Sequence, residues 1–225
     1  MKNKTHTVQL SKWMFVSSVF FLGITGCTTS VSPNYYTLAP RVLPMQDAKL
    51  RVIEVLPVNL PDRLNRVAIM VNTEQGKSTI LNNDRWTSSL AVELHDSLSS
   101  GLQQQLNAVD RYSSGISSTN TVYRIAVDFS RFDIIQSSSP QQGTQVEVEV
   151  SWVIKPLEPI QINKQAVHRI VNCRMTFNQT VANKDMIPDM VNASKQALYR
   201  ITSSISDTVL SVEKGSYQVN TAVCS

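Results

Sequence analysis

The sequence lacks a long hydrophobic run and is poor in residues that bind metals. Its longest apolar stretch, residues 13–24, would form a helix of roughly 18 Å, whereas a bilayer core needs about twenty residues to be crossed. It holds three histidines and three cysteines, and neither His95 nor His168 has a metal-ligand spacing to Cys, Asp or Glu. We therefore expect no permanent membrane span, no metal and no cofactor.

Net charge is also small once the first 26 residues are set aside. Those residues contain Lys2, Lys4 and Lys12, and the other 199 residues carry 18 basic against 17 acidic side chains, a net charge of +1. No stripe of basic residues interleaved with aromatics follows, which excludes nucleic acid as a partner. The apolar content of 42% is ordinary, and 199 residues suffice for one domain with a substantial core.

The first residues have the organisation of a secretory signal. The three lysines precede the apolar stretch, which closes on Ile24, Thr25, Gly26 and Cys27. These four positions resemble the bacterial lipobox, which implies that diacylglycerol is attached to the Cys27 thiol and that cleavage and acylation follow there. The alternative is an ordinary signal peptide in which Cys27 is incidental, but no Ala-x-Ala-like site follows closely.

The resemblance also bears on location and on domain boundaries. Thr28 follows Cys27, whereas an Asp there tends to retain lipoproteins in the inner membrane of enterobacteria-like systems, so we expect a periplasm-facing outer-membrane lipoprotein. We predict a signal peptide at 1–26, a lipidated tether at 27–34, a folded domain at 35–212 and a C-terminal tail at 213–225.

Two cysteines remain when Cys27 is set aside. Because the periplasm is oxidising, Cys173 and Cys224 invite a disulfide that would clip the tail to the strand containing Cys173. The alternative is that Cys173 is a buried free thiol and Cys224 lies in a frayed tail.

Hydrophobic periodicity in the first half predicts two strands and a helix. The strands cover 49–58 and 66–72, and polar residues 72–84 form a loop or short hairpin. Apolar residues then recur every four positions, which predicts a helix capped by Asn83 or Asp84, with Glu93 facing away and Gly101 making its last turn uncertain. The apolar residues are Trp86, Leu90, Leu94, Leu98, Leu102 and Leu106.

The second half predicts three strands and a second amphipathic helix. The strands cover 123–134, with a bulge near Ser130, then 145–154, ended by Pro156, and then 167–177. The helix covers 185–209 with Pro188 in its first turn. These elements predict an α+β two-layer sandwich, with two amphipathic helices on one face of a mainly antiparallel or mixed sheet.

Several segments in order resemble the PqiC-type family, the auxiliary lipoproteins of ABC-type and Mce-linked envelope transport systems. They are the lipobox, the motif at 35–38, the segment 56–66, and residues 83–86 at the expected helix start. Arg63 stands where the family usually has an aromatic residue, typically Tyr, and the tail beyond Val212 is not part of the common pattern.

The resemblance implies a non-enzymatic outer-membrane lipoprotein in intermembrane lipid transport. Its copies would associate in a ring that receives the tip of a periplasm-spanning Mce-domain tube. Tyr35 and Tyr36 are candidates for a subunit or partner contact, because tyrosines suit interfaces, or they pack against the sheet. Pro57 and Pro61 form a partner-binding loop or simply shape the link between two strands.

Two rival functions stay open on the sequence alone. One is a lipid-anchored periplasmic hydrolase or lipid-binding enzyme, and the other is a general envelope-stability lipoprotein. No Gly-x-Ser-x-Gly motif occurs, and Glu147 and Glu149 on one strand are better explained as a solvated sheet face than as paired acids. Neighbouring genes for an Mce-domain protein and a multi-span membrane protein would favour transport.

Overall fold

The structure is a computed structural model and describes residues 32–40, 51–118, 120–137, 143–157, 170–183, 185–216 and 219–225. The predicted signal peptide, the lipobox residues Ile24, Thr25, Gly26 and Cys27, and His168 lie outside the described residues. Residues 33–225 form one compact unit. No helix of the described part combines the length and the apolar character that crossing a membrane requires.

The described strands form one mixed, mostly antiparallel sheet. In chain order they are β1 (Asn34–Tyr36), β2 (Arg51–Val55), β3 (Ala68–Thr73), β4 (Ser78–Trp86), β5 (Ala108–Asp110), β6 (Val122–Gln136), β7 (Thr144–Leu157), β8 (Val171–Thr180) and β9 (Val223–Cys224). Their order across the sheet is β1-β4-β3-β6-β7-β8-β9, with β2 paired to both β5 and β6. The chain's first and last described strands therefore lie at opposite edges.

The long strand β6 organises the sheet. Its first half pairs in parallel with β2 and its second half pairs in parallel with β3, while β7 runs antiparallel along its other side. The register with β7 shifts between Phe129 and Arg131, which confirms the predicted bulge near Ser130. The bulge shifts which residues face the core, so Phe132 and Ile134 continue the buried face begun by Val127 and Phe129.

Helices cover the apolar face of the sheet and give the predicted α+β fold. They are α1 (Leu90–Leu106), the short α2 (Arg111–Ser114) and α3 (Ile187–Glu213). Alternate residues of β7 point into the core between sheet and helices: Val146, Val148, Val150, Trp152 and Ile154. The Trp152 indole N–H donates to the Thr208 hydroxyl of α3 at 3.1 Å, so the two layers share a buried polar contact.

The start of α1 differs from the prediction, whereas the predicted hairpin before it is confirmed. β3 and β4 pair antiparallel around the turn at 74–77. The strand β4 extends to Trp86, so Trp86 ends a strand instead of opening the helix, and the N-cap of α1 is Ser89 instead of Asn83 or Asp84. Strand β7 continues past Pro156 to Leu157, and the short α2 was not anticipated. Beyond Ile154, β7 has only β6 as a paired neighbour among the described strands, so a proline without an N–H is tolerated there.

Gly101, which made the last turn of the predicted helix uncertain, lies where the two long helices cross. A Cβ on Gly101 would lie 2.9 Å from the Thr202 Cγ2 atom of α3, closer than carbon atoms pack. The helix nevertheless continues to Leu106, and Asn107 ends it in a left-handed conformation with φ of 47°. Glycine at this position avoids a collision with the Thr202 side chain of α3.

We expect Gly101→Ala to destabilise the fold by about 1–3 kcal/mol through overpacking, despite the gain of about 1 kcal/mol in helix propensity. Thr202→Ser removes the colliding methyl and keeps the hydroxyl. The double variant should therefore be more stable than the sum of the two single changes predicts, by about 1 kcal/mol in urea unfolding. Strict additivity would show that the two residues do not collide.

Candidate functional site

The motifs at 35–38 and 83–86 contribute residues to two strands that pair with each other. β1 pairs in parallel with the end of β4, which places Tyr35 beside Arg85 and Tyr36 beside Trp86. The Asp84 carboxylate accepts hydrogen bonds from the Asn34 amide at 3.1 Å and from the Tyr36 hydroxyl at 3.2 Å. We call this pair of strands, residues 34–36 and 84–86, the β1–β4 edge.

The two tyrosines of this edge have different environments. Tyr35 is 59% exposed, whereas Tyr36 is half-buried and packs against the core. Burial, together with the hydrogen bond and the charge of Asp84, raises the pKa of the Tyr36 phenol above its ordinary value. Tyr36 therefore holds the edge in place, and Tyr35 presents a large amphipathic side chain to solvent.

A buried carboxylate ties this edge to the start of α1. Glu93 is only 4% exposed. One of its oxygens accepts from the Thr37 hydroxyl at 2.9 Å and from the Leu38 N–H at 2.8 Å. Its other oxygen accepts from the Thr87 hydroxyl and from both the N–H and the hydroxyl of Ser88. Glu93 thus joins the segment after β1, the segment after β4 and the first turn of α1.

The donors around Glu93 decide its protonation state. Burial alone would raise the pKa of this carboxyl, but the hydrogen bonds from Thr87, the Leu38 N–H, Thr37 and Ser88 outweigh burial and hold the pKa below its ordinary value. The α1 N-terminus contributes a favourable dipole, since Glu93 lies in the first turn. Glu93 is therefore a charged structural centre at neutral pH.

The segment 56–66 is a well-fixed loop along β6. It buries Val58, Leu60 and Leu64, and its backbone pairs with β6, because the N–H groups of Leu56 and Asn59 donate to carbonyls of that strand. The Pro61 carbonyl accepts from the N–H groups of residues 64 and 65, which closes a turn. Such a loop presents its exposed residues in a fixed arrangement.

Arg63 of this loop makes a forked ion pair with a buried acid. Its Nη1 and Nη2 atoms donate to the two carboxylate oxygens of Asp133 at 2.8 and 3.3 Å, and Asp133 is 5% exposed. Asn72 also donates to Asp133, at 2.8 Å. Arg63 therefore has a structural role, as the charge partner of Asp133.

The end of the same loop reaches the start of α1. The Arg66 carbonyl accepts from the Leu90 N–H at 3.2 Å, and the Asn65 side chain accepts from the Ala91 N–H at 3.3 Å. The Val67 carbonyl accepts from the Trp86 N–H at 2.7 Å. The motifs at 35–38, 56–66 and 83–86 therefore meet around the first turn of α1, and we call these three segments the motif surface.

The predicted contact residues are not all brought together. Tyr35 and Tyr36 lie in the β1–β4 edge, and Pro61 begins the turn that carries Arg63. Pro57 is exposed but lies earlier in the loop, beside the strand β6 and not beside β1. Both prolines therefore lie in the 56–66 loop, and their role in binding a partner stays a prediction.

Three acids that organise this surface were missed from sequence. Asp84 was expected to cap a helix, Asp133 was not singled out, and Glu93 was expected to face solvent. A signal for Glu93 existed, because Thr87, Ser88 and Ser89 precede it at a helix start. Glu93 is the fourth helical residue, however, one position beyond the acid of an ordinary capping box.

The other predicted pair of side chains lies at the opposite edge of the sheet. Cys173 of β8 and Cys224 of β9 are joined by a disulfide, with their Cα atoms 4.1 Å apart. The two residues face each other in the antiparallel pairing of these strands.

The described side chains outside this surface form no evident reactive group. Glu147 and Glu149 lie on the solvent side of β7 with Arg131 at 3.0 and 3.9 Å, as expected for a solvated face. Among the described residues, no three His, Cys, Asp or Glu side chains are grouped so that they could hold a metal ion. The carboxylates of Asp84, Glu93 and Asp133 all accept hydrogen bonds from neighbouring side chains or backbone groups.

A model of the ABC-type transport auxiliary lipoprotein component family matches residues 36–206 of the chain. The chain belongs to this family. The match begins at Tyr36 and includes the whole motif surface except Tyr35. Membership shows a transport-associated lipoprotein, and it confirms the resemblance noted from the motifs.

Solved structures share the fold. One, described as an uncharacterized protein, has a TM-score of 0.59 at 18% identity, over 80% of this chain and 99% of that one. Another, from Xanthomonas campestris and assigned to the DUF330 family, has a TM-score of 0.53 at 15% identity, over 81% of this chain and 98% of that one. Among curated proteins, none matches the chain.

We expect Glu93→Gln to destabilise the protein by about 1–3 kcal/mol at pH 7, because an amide NH2 would face hydrogen-bond donors and leave some unpaired. A carboxyl whose pKa is lowered by folding stabilises the fold above its unfolded pKa of about 4.3, and this contribution is lost as pH falls through the folded pKa. The difference between wild type and variant in urea unfolding should therefore shrink below about pH 4.3. Glu74→Gln, in the exposed β3–β4 turn, is the matched control, and an unchanged difference at pH 3 would contradict the assignment.

Proposed function

We propose that the protein is an outer-membrane lipoprotein of an Mce-linked, ABC-type intermembrane lipid transport system. It would act as a non-enzymatic docking piece for a periplasm-spanning Mce-domain partner. Family membership supports the transport-associated part of this role and favours it over the hydrolase and envelope-stability alternatives. The observation that carries the docking role is the convergence of three motif segments on one surface around Glu93.

The membrane attachment in this proposal is lipid on Cys27, facing the periplasm from the outer membrane. Two or three acyl chains hold a protein far more firmly than one, because each buried methylene contributes about 0.8 kcal/mol. Asn34 begins β1 only seven positions after Cys27, and seven extended residues span at most about 25 Å. The tether would therefore keep the β1–β4 edge close to the lipid headgroups. A partner that spans the periplasm would end near the same membrane surface.

The motif surface has the properties of a preorganised contact. Its backbone is fixed by Glu93, Asp84 and the loop pairing with β6, so little conformational freedom is lost on binding. Tyr35 projects from it with most of its surface exposed, and exposed tyrosines become anchors when an interface buries them. We propose that copies of the chain form a ring and that Tyr35 contacts either the next copy or the Mce-domain partner.

Replacing the proposed lipidation site gives the first test of this role. We expect Cys27→Ala to leave an uncleaved precursor that incorporates no labelled palmitate, because the thiol that accepts diacylglycerol is gone. Metabolic labelling and membrane fractionation measure both effects, with Cys224→Ala as the matched cysteine control. Palmitate incorporation in the Cys27→Ala chain would overturn the anchor.

A photo-crosslinking amino acid at position 35 tests the contact. In intact cells we expect crosslinks from position 35 to an Mce-domain protein or to a second copy of the chain, identified by mass spectrometry. Position 199 is the matched control, since Tyr199 is 68% exposed on α3 and outside the motif surface. Equal crosslinking from both positions, or products from position 35 that contain neither protein, would count against the proposal.

A further inference from the structure

At one edge of the sheet, the two-residue strand β9 covers only part of the much longer strand β8. The two residues of β9 pair antiparallel with β8, Val223 opposite Arg174 and Cys224 opposite Cys173. The N–H groups and carbonyls of Asn172 and Ser225 then exchange hydrogen bonds at 3.0 and 2.8 Å. The C-terminal residues thus satisfy backbone groups that an edge strand would otherwise present to solvent.

This covering stops halfway along β8. Since Asn172 directs its N–H and carbonyl towards β9, alternation along the strand directs those of Thr176, Asn178 and Thr180 to the same side. None of the described residues pairs with β8 beyond Arg174 on that side. Thr176 and Asn178 are exposed. Among the described residues, the edge therefore has one short paired strand and a further stretch of backbone groups, at residues 176–180, that no strand covers.

A strand as short as β9 needs the covalent link to stay in place. The pairing involves only two residues of β9, and Val223 is 82% exposed, so little apolar burial holds it. The disulfide between Cys173 and Cys224 makes re-pairing intramolecular, which gives β9 a high effective concentration at the edge. The family match ends at residue 206, so both β9 and its cysteine lie outside the matched domain.

We propose that residues 222–225 guard a strand-pairing edge, and that without the Cys173–Cys224 link β8 pairs with β8 of a second copy of this chain. A two-fold antiparallel pairing centred on Thr176 would place Arg174 opposite Asn178 and Asn172 opposite Thr180. No like charges face each other in that register, and the apolar residues of β8 stay on the helix-covered side. A second copy suits the edge because it brings the same unpaired backbone groups, and an isologous pairing satisfies both sets at once.

The test compares the full mature protein in detergent with its Cys173→Val/Cys224→Ser variant. Valine keeps the buried strand position apolar, and serine removes the second thiol without leaving a free cysteine. We expect the variant to show a mass at least twice that of the wild type in sedimentation velocity, increasing with concentration. Amide exchange in residues 175–180 should slow as the variant associates, because the edge N–H groups become paired.

Two further variants distinguish association through strand pairing from non-specific association. Adding Asn178→Pro to the double variant should abolish the extra association, because it removes an edge N–H without disturbing the pairing with β7. Asn178→Ala in the same background should retain the association.

A second route covers the case in which the double variant fails to fold. The chain ending at Ser216 and carrying Cys173→Val lacks the whole tail, and we expect the same doubling of mass from it. A natively folded tail-free variant with the wild-type mass at every concentration would overturn the proposal. So would an association that Asn178→Pro leaves intact, because it would use another surface.

Discussion

A single buried carboxylate holds the first strand, the end of β4 and the start of α1 together. Five donors from Thr37, Leu38, Thr87 and Ser88 converge on Glu93. Two of them are backbone N–H groups, and that of Leu38 is buried, so it would otherwise lack a partner. Charged acceptors make the stronger hydrogen bonds, so this arrangement offsets the cost of burying the carboxylate. The position of β1, and with it the exposure of Tyr35, depends on that charge.

A second buried acid, Asp133, has a similar role in the loop between β2 and β3. Asp133 is buried beside the bulge of β6, where the shift in register turns it away from the apolar core face. Arg63 and Asn72 come from two neighbouring segments to satisfy it. The bulge and the loop therefore support each other: the bulge places the acid, and the acid fixes the arginine that folds the loop over β6.

Strong periodicity explains which elements could be predicted. Val146, Val148, Val150 and Trp152 alternate with polar residues because one face of β7 is covered by α3 and the other is solvated, and α3 shows the matching helical pattern. Strand β4 shows no such alternation of apolar and polar residues, because most of its side chains are exposed. Its backbone pairs with β1 and β3 instead of packing a face against a helix. Short strands such as β5 and β9 form by pairing with strands that are distant in sequence, so no local sequence pattern predicts these short strands.

The candidate site was predictable only in part, for a related reason. The tyrosines and residues 83–86 were visible as motifs, but their contact arises from the parallel pairing of strands about fifty residues apart. Glu93 and Asp133 look like solvated acids in the sequence, because burial of a charge is decided by the donors that tertiary structure brings to it. Pro57 and Pro61 were visible as a proline-rich link, but its pairing along β6 depends on a strand more than sixty residues away, and its role in partner binding stays a prediction.

The three-residue length of β1 has a mechanical consequence. For a chain held by lipid at Cys27, a pull on the folded domain is applied first to Asn34, and hence to a strand with a single paired neighbour, β4, among the described strands. Detachment of residues 34–40 would lengthen the tether by seven residues, or about 25 Å, while β6, β7, β8 and the two long helices remain folded. The first strand would then yield under load before the core does, and the Glu93 hydrogen bonds to Thr37 and Leu38 would set the force at which it yields.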